Sequence, residues 1–556
     1  MRHDLRAVDF NLADLFECVV DVVGDRAALV AGDRRLTYGG LDERANRLAH
    51  GLESALGVRR GDHVAIDLHN AAEYLEVMLA CYKLRAVPVN INYRYVADEL
   101  EYVLKDAAAV GVVTEPALEA TVRSAGQGWT LVTGDAYEDV VTSGDPGRGF
   151  GPRSADDHYV LYTGGTTGFP KGVVWRHEDI FFATLGGGNP GGPPITHPSE
   201  IGRTVLTNRA QRLAPFLADG DPGPDRFVTL ALGPLMHASG QWSALGALLG
   251  GGTSVVYTGR QMDMTRVLDL VVTERVCMLT LVGDTSGRPL ADTLEAAPGR
   301  WDTSSIRMLG SGGSILSAGV KSRLHHALPS VIGISEAVGS SEAPVQGVAV
   351  SRGGAQTSMA FSVRADTVVF DDNLDPVLAG SGVIGRLATR GHVPLGYLND
   401  PARTAATFVE VDGERWAVPG DMATVEPDGS IRLLGRGSMC INTGGEKVYP
   451  EEVEAVLKSH PSIADAVVVG VPDDIFGERV AAVVGLRSGV PTPSLADLQE
   501  LCRAHLAGYK IPRELVVADE VVRSPAGKAD YRWARRLLQP AVDAAPGGSV
   551  LDDPPG

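Results

Sequence analysis

The stretch from Tyr162 to Gly172 holds the residue types best suited to chemistry: Tyr162-Thr163-Gly164-Gly165-Thr166-Thr167-Gly168-Phe169-Pro170-Lys171-Gly172. Gly and Thr offer backbone N–H groups and hydroxyls in one small volume and Lys171 adds a cation, a combination suited to a polyphosphate. The apolar Tyr159-Val160-Leu161 before it reads as a short buried strand, so the glycines are expected to form a loop leaving a sheet edge. This is not a P-loop, because Gly168 is followed by Phe169-Pro170-Lys171 instead of Lys and a hydroxyl residue. Gly310-Ser311-Gly312-Gly313-Ser314 reads as opening a helix after a strand. It lacks the last glycine of a dinucleotide fingerprint, yet it could seat an anion or approach a flat ring closely. ATP is the working ligand.

The elements that must hold these residues alternate between helical and strand patterns. Leu41, Ala45, Leu48, Ala49 and Leu52 recur at helical spacing; Val64-Ala65-Ile66 reads as a strand, Tyr74 to Leu84 as a helix, and Val87-Pro88-Val89-Asn90 as a strand followed by a turn. Further on, Val267 to Val282 reads as a helix and then a strand. The fold class is α/β: a large N-terminal domain of several sheets and helices over residues 1–435, joined to a small mobile α+β domain over 439–540. The tail, 541–556, is rich in Pro, Gly and Asp and reads as disordered. Between Leu185 and Asp225 periodicity is lost, and a surface excursion is preferred there to a substrate-shaping lid.

With 556 residues, 44% of them hydrophobic, the chain can bury more than one full core. Its net charge of −19 opposes nonspecific binding to nucleic acid or anionic membrane, so a phosphate ligand needs local positive charge. The segment Leu501 to Arg536 supplies some, with eight Lys and Arg against four Asp and Glu. Five scattered cysteines without a CxxC argue against a disulfide framework or zinc cluster. With no signal-like or membrane-spanning stretch, a cytoplasmic protein is expected.

Six blocks in one order identify a family resemblance. Tyr162 to Gly172 resembles the phosphate loop of the adenylate-forming superfamily, which includes acyl-CoA synthetases, peptide-synthetase adenylation domains and luciferases. Gly339-Ser340-Ser341-Glu342 resembles its block ending in the magnesium-binding Glu, and Pro419-Gly420-Asp421 the block whose Asp holds the ribose hydroxyls. Gly435-Arg436 matches the phosphate-contacting Arg before a hinge at 436–438, where Ser438 replaces the commoner charged residue. Gly444-Gly445-Glu446-Lys447-Val448-Tyr449-Pro450 resembles the loop used in thioester formation, and Ser524-Pro525-Ala526-Gly527-Lys528 carries the catalytic Lys. The phosphate loop followed by Trp175-Arg176-His177-Glu178-Asp179-Ile180 resembles bacterial CoA ligases of steroid side chains; ligases of bulky terpenoid acids, including those of platensimycin-type biosynthesis, fall in the same neighbourhood.

The resemblance implies an acyl-CoA ligase that converts a bulky or long apolar acid to an acyl adenylate with ATP and magnesium, then to a thioester with coenzyme A. Lys528, Glu342 and His237 become the catalytic candidates, with Glu342 as the metal ligand. Thr163, Gly164, Gly165, Thr166, Thr167, Gly168 and Lys171 are expected at the nucleotide, with Ser311, Gly312, Gly339, Ser340, Ser341, Asp421 and Arg436. Gly444, Gly445, Glu446, Lys447, Lys510 and Arg513 are placed at CoA, and His237, Trp242, Gly283 and Asp284 at the acyl pocket. The small domain is expected to rotate between half-reactions. Val338 replaces the usual adenine-stacking aromatic, and Ala343-Pro344 follows Glu342 where Thr-Gly is commoner. Alternatives therefore stand beside the ligase: thioester formation alone from an adenylate made by a partner enzyme, loading of a carrier protein, or a non-catalytic sensor. A homodimer is also open.

Overall fold

The computed structural model describes residues 9–126, 128–163, 170–187, 189, 192–207, 226–314, 316–352, 360–443, 446–473, 477–506, 508–523 and 527–538. Two compact units emerge: Met1–Leu433 with Pro525–Gly527, and Leu434–Ser524 with Lys528–Gly556.

Two sheets organise the larger unit. The seven-stranded sheet runs Gly396–Tyr397, Lys171–Arg176, His158–Thr163, Val87–Asn90, His63–Asp67, Ala109–Thr114, Trp129–Val132. Its last five strands are parallel, and the first three pair antiparallel. The strand before the glycine loop is therefore internal, not at a sheet edge: residues 164–169 link two hydrogen-bonded neighbours, in register from His158↔Arg176 to Thr163↔Lys171. Short apolar strands covered on both faces are what internal parallel strands require. Tyr159 and Leu161 join the core around helix Tyr38–Leu56, while Val160 and Tyr162 join a second core on the opposite face.

A fifteen-stranded sheet carries the rest of the unit. In its parallel part the order is Ala27–Ala31, Thr253–Val256, Val228–Ala231, Met278–Leu281, Met308–Gly312, Gly333–Val338. An antiparallel extension follows, beginning with Gly347–Ser351 and including Asp421–Val425.

Three sequence readings change. Gly310 to Gly312 end a strand and the next helix starts only at Ala318, so the glycines do not open it. Asn90 is the last residue of a strand and is buried, not a turn residue. Part of the aperiodic stretch is helical, Glu200–Thr207, because Ile201 and Val205 are buried in the main core.

The smaller unit has a five-stranded sheet built on Gly477–Leu486, which pairs along its length with the antiparallel edge strand Ile463–Asp473. Helices Pro450–Lys458, Leu495–His505 and Tyr531–Leu538 accompany it. Valine-rich alternation gives the sheet two apolar faces: Val468, Val480 and Val484 feed one core, Val467, Val469 and Val483 the other.

Candidate active site

In open α/β sheets, ligands meet the loops beyond the carboxyl ends of parallel strands. Both sheets of the larger unit place predicted residues there: Thr163 and Lys171 in one, and in the other the segments following Ala231, Leu281, Gly312 and Val338.

Lys171 begins the strand after the glycine loop. Two residues on, Val173 is the register partner of Tyr397, so Lys171 and Tyr397 are diagonal cross-strand neighbours on one face. Lys171 Nζ lies 2.8 Å from the Tyr397 hydroxyl and 2.9 Å from Glu342 Oε1, and 4.0 Å from the tyrosine ring centroid. The Tyr397 hydroxyl donates to the same Glu342 oxygen at 2.6 Å. Glu342 is 4% exposed at its side chain and Lys171 19%, so the pair is largely withdrawn from water.

The loop carrying Glu342 is folded on itself. Ser340 N–H donates to the Ala343 carbonyl at 2.8 Å, while Ser340 Oγ accepts from the N–H groups of Glu342 and Ala343, both at 3.2 Å. Gly339 is required because a Cβ would meet the Pro344 carbonyl oxygen at 2.2 Å. Pro344 follows the residues that Ser340 closes, and its carbonyl packs directly against Gly339. Trp175, on the strand carrying Lys171, donates to the Ser341 carbonyl at 3.2 Å and ties the loop to the other sheet.

A second tie lies at Asn90. Its amide donates to the carbonyls of Tyr162 at 2.8 Å and Met236 at 2.7 Å, and its oxygen accepts from Tyr162 N–H at 2.7 Å. One buried side chain thus links the strand entering the glycine loop to the residue before His237. His237 is the half-buried N-cap of helix Ala238–Leu249, where Trp242 donates to the Tyr159 hydroxyl at 3.1 Å. Asn70 supports the same segment, accepting from Leu235 N–H and donating to the Tyr257 carbonyl.

Ser311 is buried, and its hydroxyl accepts from Gly283 N–H at 3.2 Å; Gly312 ends the same strand. Asp284 bonds Ser317 N–H at 2.7 Å and Arg288 at 3.0 Å, binding two helices together. Asp421 is buried at the start of its strand. Val338 is buried at the end of the strand before Gly339.

Of the remaining predicted residues, Gly164, Gly165, Thr166, Thr167, Gly168, Gly444 and Gly445, and the side chains of Arg436, Ser438 and Lys447, lie outside the described residues. In the smaller unit, Lys528 and Glu446 are exposed, Lys510 pairs with Glu452 at 2.6 Å, and Arg513 is exposed with its N–H bonded to the Val480 carbonyl.

Sequence reasoning missed Tyr397 and Asn90. The signal for Tyr397 was a Gly-Tyr pair before Asn399-Asp400-Pro401, too short to announce a strand; for Asn90 it was an amide closing an otherwise apolar strand.

The Glu342 carboxylate supplies buried hard oxygen, the donor type magnesium takes. Among the described residues no cluster of three or more His, Cys, Asp or Glu could hold a metal by itself. A magnesium site here would be completed by phosphate oxygens and water.

The chain resembles known proteins over most of its length. The AMP-binding enzyme family matches residues 16–398, and the AMP-binding enzyme C-terminal domain matches 452–528. The chain is 40% identical to a 3-oxocholest-4-en-26-oate–CoA ligase of Rhodococcus rhodochrous, covering 94% of this chain and 95% of that one. It is 41% identical to a medium/long-chain-fatty-acid–CoA/3-oxocholest-4-en-26-oate–CoA ligase of Mycolicibacterium smegmatis, covering 95% and 96%. Among solved structures, the anthranilate CoA ligase AuaEII in complex with anthranoyl-AMP superposes with TM-score 0.80 at 22% identity, covering 97% of this chain and 99% of that one. A benzoate CoA ligase from Burkholderia xenovorans gives 0.77 at 22% identity, covering 95% and 99%. At these identities the structures speak for the fold.

Proposed function

The chain belongs to the AMP-binding enzyme family and is an AMP-forming acyl-CoA ligase; from that premise we propose that its acid is bulky and apolar, a steroid side chain or a medium- or long-chain fatty acid. The observation that carries the catalytic reading is the convergence of Lys171 and Glu342 across two sheets, 2.9 Å apart and largely buried.

A carboxylate is a poor electrophile. Its oxygen attacks the α-phosphorus of ATP and pyrophosphate leaves; the CoA thiolate then attacks the acyl carbon and AMP leaves. Lys171 would bind the outer phosphates and Lys528 would offset the charge where two anions meet. Magnesium, when held by Glu342, supplies charge neutralisation at those phosphates. Asp421 would accept from the ribose hydroxyls and Arg436 would contact phosphate. His237 and Trp242, fixed through Asn90 and Tyr159, would border the acid. We assign residues 436–438 as the hinge of a domain alternation in which Lys528 serves adenylation and 444–447 thioester formation.

Among the described residues no helix is long and apolar enough to cross a membrane. None of the five cysteines is joined in a disulfide, which supports reading the protein as cytoplasmic. A homodimer stays open, and sedimentation velocity decides it.

The test is a panel of steroid side-chain acids, medium- and long-chain fatty acids, terpenoid acids and benzoates with ATP, magnesium and CoA, followed by mass detection of adenylate and thioester. Thioester and pyrophosphate from the apolar acids are expected. Preference for benzoates would overturn the substrate class. Thioester only from supplied adenylate would point to a partner adenylating enzyme, faster transfer to a holo carrier protein would replace CoA as acceptor, and binding without turnover would leave a sensor.

A further inference from the structure

We propose that Tyr397 is a positioning residue whose hydroxyl holds Lys171 and Glu342 as one unit, so that the phosphates and magnesium of MgATP bind by exchange against the ion pair between them. The proposal rests on the ligase reading and adds a residue outside the six sequence blocks.

Three contacts meet at one point: Lys171 Nζ to the Tyr397 hydroxyl at 2.8 Å, that hydroxyl to Glu342 Oε1 at 2.6 Å, and Lys171 Nζ to the same oxygen at 2.9 Å. The hydroxyl accepts from the ammonium and donates to the carboxylate, the one arrangement that satisfies both ions with a neutral group. The backbone fixes its aim. Gly396 and Tyr397 pair with Val174 and Val173, Leu398 N–H donates to the Gly172 carbonyl at 2.8 Å, and Tyr397 N–H donates to Thr404 Oγ1 at 2.9 Å. Tyr397 itself is buried, with Phe408 against its ring at 5.8 Å.

A buried carboxylate without a counter-charge is costly, so in the nucleotide-free protein Glu342 and Lys171 neutralise each other. ATP phosphates need Lys171 and magnesium needs Glu342, so the direct pair must open as both ligands arrive. The hydroxyl bonds each partner independently, and it therefore keeps them in place while the direct contact is exchanged. Without it, Glu342 retains Lys171 as its nearby counter-ion and the competing pair strengthens.

Tyr397→Phe removes the hydroxyl and keeps the ring that packs on Phe408. Calorimetric titration should show the Kd for MgATP rising about 10-fold and the magnesium concentration for half-maximal ATP binding rising with it, while the Kd for AMP, which has no outer phosphates, stays within about twofold. Pyrophosphate release should fall about 10- to 100-fold, with thioester formation from supplied adenylate little changed. An unshifted MgATP Kd overturns the proposal. Equal loss of MgATP and AMP binding also overturns it, since the ring would then be supporting the fold and not the phosphate subsite. Wild-type protein binding neither nucleotide would remove the ligase reading itself, a distinguishable failure.

Discussion

Lys171 and Lys528 bear the same charge and belong to different units of the chain. Their assigned tasks differ: Lys171 meets the outer phosphates, which leave with the first half-reaction, whereas Lys528 acts where the acid oxygen approaches the α-phosphate. Replacing Lys528 by Ala should lower acid-dependent pyrophosphate release about 100- to 1000-fold, the usual scale for loss of one preorganised charge at a transition state. Thioester formation from supplied adenylate should stay within a few-fold, because the proposed alternation gives that step to residues 444–447 instead of Lys528. Both rates are measurable on one preparation. Equal losses would reassign Lys528 to general support of the site.

At the scale of elements, the joint between the two sheets is a small set of side-chain bonds to backbone, with Asn90 at its centre. Asn90→Asp keeps the size and the acceptor for Tyr162 N–H but turns a carboxylate oxygen toward the carbonyls of Tyr162 and Met236, at 2.8 and 2.7 Å in the native pairing. Two lost donor bonds in a buried site cost about 1 to 3 kcal/mol each. The melting temperature should fall by several degrees, and KM for ATP and for the acid should rise together, since this amide holds Tyr162, which leads to the glycine stretch, and Met236, which precedes His237; a variant with unchanged kinetics would show that the tie is dispensable. The same joint explains what was legible beforehand. Periodicity exposed helix Tyr38–Leu56 and strand His63–Asp67 because their apolar patterns are set locally by one buried face. Motif order pointed to Lys171 and Glu342 without showing that they touch. Tyr397 stayed hidden because its two-residue strand exists only by pairing with Lys171–Arg176, and Asn90 because its three bonds are to residues 72 and 146 positions away. Gly310 to Gly313 misled because glycine signals close approach or a turn, without saying which element follows.

For the molecule as a whole, one buried histidine, in a motif otherwise read for subfamily, adds a pH-dependent contribution to stability. His177 is fully buried: its Nδ1 accepts from Leu12 N–H at 3.3 Å and its Nε2–H faces the His158 carbonyl at 3.2 Å, so the neutral ring joins the first helix, Leu12–Val23, to the phosphate-loop hairpin. Burial pushes its pKa down from 6.5 to about 4, against the charge of Asp157 and the His158 carbonyl bond. Between these values the unfolded chain binds more protons than the folded one, so stability rises with pH across that window and is lost as pH falls from about 6.5 toward 4, by about 3 kcal/mol in full. Asp67 works in the opposite sense. Burial and the nearby Glu115 push its carboxyl up to about 7, so over an overlapping range the folded state takes up protons first and gains stability on acidification. The wild-type profile is therefore a difference of terms, and the histidine is isolated by comparison with His177→Gln, which cannot titrate. Melting temperatures of the two proteins measured from pH 7.5 to 4.5 should converge, the wild type losing its advantage as pH drops; parallel curves would assign the acid sensitivity to other groups.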